Sequence, residues 1–87
     1  MTKEEWQSVY DEFYYFKNQI DNLCDDYYLA SDKQKATQIM SEAYYKVKYN
    51  NELLELFNEK GNVSDLKDIS QFSYAVTGFL ATIESKK

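Results

Sequence analysis

The sequence predicts an all-α fold, an antiparallel three-helix bundle running up-down-up, and three observations predict it. Apolar residues recur at alternating steps of three and four along most of the chain. Capping residues stand at the start of three such stretches. No segment alternates apolar and polar residues for long, and no Asn-Gly or Asp-Gly turn separates two β-branched runs. With two Gly and no Pro in 87 residues, internal punctuation is almost absent, so a single helical domain over residues 1–87 is expected.

The first helix is expected over residues 3–30. Thr2 and Glu5 are spaced to satisfy each other's backbone donors in a capping box. Trp6, Val9, Phe13, Phe16, Ile20, Leu23, Tyr27 and Ala30 then keep one face without a miss, a helix of roughly 27 residues and about 40 Å. The second helix is expected over 32–60, opened by Ser31, Asp32 and Gln34. Its seam reads Ala36, Met40, Ala43, Val47, Asn50, Leu54 and Phe57, flanked by Ile39 and Leu53. It ends at Gly61, taken as a left-handed stop. Asn50 is the one polar residue in that seam. It reads as a buried register-setting residue, with a kink at Asn50 and Asn51 as the alternative. The third helix is expected over 65–84, capped by Ser64, with Asp65 and Asp68 in its first turn and Leu66, Ile69, Phe72, Val76, Phe79, Leu80 and Ile83 facing inward. Short connections between long helices make antiparallel neighbours the economical packing.

Composition narrows the function. Ten Lys+Arg, every one of them Lys, against fifteen Asp+Glu give a charge of −5. The absence of Arg alongside many Lys, Asn, Tyr and Ile fits an AT-rich coding sequence, as in a low-GC bacterium, its phages or its plasmids. Aromatic residues reach 17%, which argues against intrinsic disorder. No apolar run approaches a membrane span, and the acidic MTKEEWQSVYDE start does not read as a signal peptide, so no membrane insertion is expected. One cysteine excludes an internal disulfide framework and points to a reducing cytosol.

Catalytic chemistry has little to stand on. There is no His, and Cys24 lies beside Asp25 and Asp26, which would raise a thiol pKa, so Cys24 reads as packing. Asp21, Asp25, Asp26 and Asp32 lack the spacing of a calcium loop, and no glycine-rich phosphate loop exists. No enzyme activity, cofactor or metal is expected. Lys33, Lys35, Lys46 and Lys48 interleave with Tyr44, Tyr45 and Tyr49. An acidic chain without Arg is nonetheless a poor nucleic-acid binder, and that face reads as a solvated flank.

What stands out is more aromatic surface than three packed helices hide. The periodicity leaves Tyr14, Tyr15 and Tyr28 outward on the first helix, Tyr45, Tyr49, Glu52, Leu56 and Glu59 as a stripe on the second, and Tyr74 outward on the third. Tyrosine offers rigid contact area at low entropic cost and is enriched at interface hot spots. The expected partner interface is therefore Tyr45, Tyr49 and Leu56 as anchors with Glu52, joined by Tyr14, Tyr15, Asp21, Asp25 and Tyr28. The Tyr14, Asn18, Asp21, Asp25, Tyr28 row, with no lysine in it, suits a basic partner surface. The reading is a small inhibitor or regulator that occludes a protein partner. Three alternatives fit the same residues: a nucleic-acid mimic against a basic protein, an immunity-protein-like helical bundle by analogy of fold alone, and a homo-oligomer. Ser73, Thr77 and Ala81, with Gly78 near them, read as a close-packing stripe inside the bundle, with a second subunit as the alternative.

Overall fold

The computed structural model describes residues 1–23, 30–59 and 61–87, the side chains of 30–32 excepted. Among the described residues all regular structure is helical: α1 (Lys3–Leu23), α2 (Ala30–Lys48), α3 (Asn51–Asn58), a 3₁₀ segment (Val63–Lys67) and α4 (Ile69–Glu84). The all-α expectation holds, with four α-helices in place of three.

α1 starts where the capping box predicts. The Thr2 amide donates to Glu5 Oε1 at 2.9 Å and the Glu5 amide donates to Thr2 Oγ1 at 3.1 Å. These bonds hold the Glu5 carboxyl below its ordinary range. Trp6, Val9, Phe13, Phe16 and Ile20 are all buried, as the three-four spacing requires. The expected continuation through Tyr27, and with it Cys24, Asp25, Asp26 and Tyr28, lies outside the described residues. α2 begins at Ala30, ahead of the expected cap at Ser31.

The continuous second helix is corrected. Asn50 is neither buried in a seam nor a mild kink. It is exposed and extended, and its side chain accepts from the amides of Glu52 at 3.1 Å and Leu53 at 3.3 Å, which starts α3 afresh. A side chain that bonds backbone amides competes with helix continuation, so asparagine here divides what periodicity joins. The break also resets helical phase. Leu53, Leu56 and Phe57 turn inward, while Leu54 moves to the half-buried flank.

Two further boundaries move. Ser64 lies inside the 3₁₀ segment, which Asn62 caps, and α4 is capped by Asp68, whose carboxylate accepts the Ser70 amide at 3.0 Å. Gly61 is not a left-handed stop, since neither glycine has a positive φ.

Side-chain pairs fix the helix directions. Asp21 meets Ser73, Phe13 meets Phe79, and the Lys87 ammonium sits 3.7 Å from the centre of the Tyr10 ring, so α4 runs antiparallel to α1. Glu12 pairs with Lys46 at 2.6 Å and the Met1 amino group with Glu52 at 2.9 Å, so α2 also runs antiparallel to α1. α2 and α4 are therefore parallel to each other, and the up-down-up order is replaced by up-down-down. α3 and the 3₁₀ segment carry the chain back between them, which a two-residue turn cannot do. In cross-section the order is α1, α2, the 3₁₀ segment and α4, with α1 touching α2 and α4 but not the 3₁₀ segment. Phe13, Phe57 and Phe79 join the helices at the centre, with ring separations of 5.0 and 5.1 Å.

Candidate protein-binding surface

Five tyrosines expected to face outward do so among the described residues: Tyr14, Tyr15, Tyr45, Tyr49 and Tyr74 are all exposed. They do not form one surface. Tyr14 lies in the groove between α1 and α4, with Tyr10, Lys17, Thr77, Leu80, Ala81 and Glu84. Tyr45 lies on the opposite side, beside Thr37, Met40, Ser41 and Lys67, where α2 meets the 3₁₀ segment. Tyr28 and Asp25 lie outside the described residues.

The Tyr45 side is the more highly organised of the two. The last turn of α2 carries Tyr45, and Tyr49 follows with its amide bonded to the Tyr45 carbonyl at 3.0 Å, so the two rings stand one turn apart on one face. Their centroids are 5.7 Å apart with planes 10° from parallel, an offset stack held in water. Tyr45 is 51% and Tyr49 75% exposed. Tyr44, buried beneath them, meets the Tyr45 ring edge-on at 5.3 Å and fixes the base of the stack.

Two lysines frame this face. Lys67, delivered by the 3₁₀ segment, stands 4.3 Å from the Tyr44 ring centre, and Lys48 stands 5.4 Å from Tyr44 and 5.9 Å from Tyr49. Hydrogen bonding to Lys48, followed by the charges of Lys48 and Lys67, holds the Tyr44 phenol below its ordinary value against the opposing effect of burial. The same contact raises Lys48. Lys48, one helical turn after Tyr44, was visible as an i,i+4 neighbour; Lys67 comes from a distant element, and no local pattern announces it.

The rest of the expected interface is corrected. Leu56 is buried at 6% exposure and anchors α3 to the core, because the restart at Asn50 rotates it inward. Glu52 is exposed but belongs to another side, where Glu52, Glu55, Glu59, Leu56, Trp6 and Lys86 line a hollow of about 190 Å³. The stripe from Tyr45 to Glu59 is thus broken after Tyr49. Asp21 is not a free acid in a lysine-free row. Lys17 pairs with it at 2.7 Å from the preceding turn, and the Ser73 hydroxyl donates to it at 2.9 Å, so it ties α1 to α4. Among the described residues no helix is long and apolar enough to cross a membrane, and no three His, Cys, Asp or Glu gather as ligands.

No protein-family model matches the chain, and neither a curated protein nor a solved structure matches it.

Proposed function

We propose that the chain is a small, non-enzymatic protein-binding module, an inhibitor or regulator that covers a partner protein with the Tyr45–Tyr49 face of α2. One observation carries the reading: two exposed tyrosines are stacked in advance, 5.7 Å apart, on a base formed by buried Tyr44 and flanked by Lys48 and Lys67. Rings already ordered lose little freedom on binding, which is what a hot spot requires. The flanking ammonium groups favour a partner surface that sets carboxylates among apolar groups. The rival reading, acids of α1 imitating nucleic-acid phosphates before a basic partner, is weakened because Asp21 already serves Lys17 and Ser73. A cytosolic site of action suits a chain with one cysteine.

Affinity capture from the native host tests the proposal, using wild type and the double variant Tyr45→Ser, Tyr49→Ser. Both positions are exposed, so folding is retained. Wild type should retrieve a partner that the variant loses by at least about tenfold, the effect of about 1.4 kcal/mol. Equal recovery by both refutes the assignment of this face.

A further inference from the structure

α4 holds the longest uncharged stretch of the chain: no Asp, Glu or Lys occurs between Ile69 and Ile83, in a protein that is 29% charged. Its inner side is fully used, since Phe72, Val76, Phe79, Leu80 and Ile83 are buried. The outer side reads Gln71, Tyr74, Gly78, Ala81, Thr82 and Ser85, one helical stripe with no charge in it. Tyr74 is 81% exposed, the most exposed of the large apolar side chains.

This outer side is drier than its composition suggests. The Thr82 hydroxyl donates to the Gly78 carbonyl at 3.0 Å, the Ser85 hydroxyl to the Thr82 carbonyl at 2.8 Å, and the neighbouring Thr77 hydroxyl to the Ser73 carbonyl at 2.7 Å. Their donors are spent within the helix, leaving methyl and methylene groups for the outer surface. Gly78 makes a notch among them. A Cβ built there meets nothing within 4 Å, so packing inside the bundle does not require glycine, although glycine costs a helix interior about 1 kcal/mol relative to alanine. The expected role of the stripe inside the bundle is therefore corrected. Only Ser73 touches another element, through Asp21. The outer face continues past Ala81 into a groove of about 390 Å³ lined by Tyr10, Tyr14, Leu80 and Thr77.

We infer that this face of α4 is where two copies of the chain associate, antiparallel, about a two-fold axis near Thr77 and Gly78. Charge selects a second copy as the occupant. At −5 the chain repels itself wherever its charges are displayed, and this face displays none. Its edge is complementary to itself. Asp68 and Lys86 lie about five helical turns apart on the same edge, on either side of Thr77. A two-fold axis there sets Asp68 of each copy beside Lys86 of the other, a pair made twice. The same axis lays Tyr74 of one copy against Ala81 and Thr82 of the other, a ring into a gap between small residues. A face about 24 Å long by about 20 Å wide covers about 500 Å² per copy, which belongs to weak, reversible association. α2 and α4 occupy opposite corners of the cross-section, so each copy keeps its Tyr45–Tyr49 face free and the dimer presents that face twice.

Sedimentation equilibrium of the full chain tests this, from about 10 μM to about 1 mM, the range of a weak contact. The wild-type mass should climb from monomer toward dimer. Gly78→Glu places a charge in open space and improves helix propensity, so it should keep the circular dichroism and melting curve of a folded helix bundle and remain monomeric. Tyr74→Ser should weaken association at least about fivefold, the loss of about 1 kcal/mol. The double variant Tyr45→Ser, Tyr49→Ser should associate as wild type does, which separates this surface from the partner-binding face. Three results each overturn the inference: a wild type that keeps monomer mass throughout, a Gly78→Glu variant that dimerises like wild type, or loss of the dimer in the Tyr45, Tyr49 variant.

Discussion

Asn50 and Tyr44 are where single side chains decide most. Periodicity read Tyr45 and Tyr49 as outward, and both are exposed. It also read Leu56 as outward, and Leu56 is buried, because one asparagine accepting two amides restarted the helix between them. Tyr44 shows a second limit of local reading: its ring is buried, and one of its two ammonium neighbours, Lys67, comes from the 3₁₀ segment. The hydrogen bond from Lys48 favours the phenolate, so Tyr44 ionises below its ordinary 10.0 and Lys48 above its ordinary 10.5. At neutral pH the phenol is protonated in both folded and unfolded chains, and its ionisation contributes no stability. The contribution enters as the pH rises through the folded Tyr44 value toward 10.0 and is lost again as the pH climbs past the folded Lys48 value above 10.5. A spectrophotometric titration of phenolate should show one tyrosine ionising ahead of the others, and Lys48→Met should remove that early phase. An unchanged first phase in the variant would show that Lys48 does not govern it.

At the level of the element, what the sequence announced well was the inward faces. The predicted core positions of α1 and α4 are buried, because a sustained three-four spacing has only one compact solution. The boundaries were harder, since several residues able to cap stood within a few positions of one another. Asn50, Asn62, Ser64, Asp65 and Asp68 all offer side-chain oxygens, and which of them caps depends on where tertiary packing needs the chain to turn. Asn50→Ala removes the cap of an eight-residue helix that holds Leu53, Leu56 and Phe57 in the core. It should cost about 1 kcal/mol, seen as a melting temperature lower by about 4–8 °C for a domain of this size. An unchanged melting curve would mean that α2 and α3 join without this bond.

For the whole molecule, the class was legible and the path was not. Helix count and direction depend on the return of the chain through α3 and the 3₁₀ segment, and that return rests on contacts far apart in sequence, such as Phe57 with Phe79. The molecule measures 40 × 20 × 18 Å, so the direction of α4 is measurable as a distance. Spin labels at Gln34→Cys and Gln71→Cys, in a Cys24→Ser background, mark the first turns of α2 and α4. Parallel α2 and α4 place them across the 20 Å width, whereas an up-down-up bundle would place them near opposite ends of the 40 Å axis. The same path settles how the tyrosines are shared out. Tyr45 and Tyr49 go to the α2 and 3₁₀ side, and Tyr14 goes to the α1 and α4 side. The two helix faces expected to act together are thereby separated.

A photoreactive phenylalanine analogue placed at position 49 in the living host reads the central claim most directly, with the same analogue at position 15 as reference. The account predicts one discrete cross-linked protein from position 49, lost when Tyr45→Ser and Lys67→Ala are added, and none of that species from position 15. Cross-links to the same protein from position 15 with none from position 49 would contradict it.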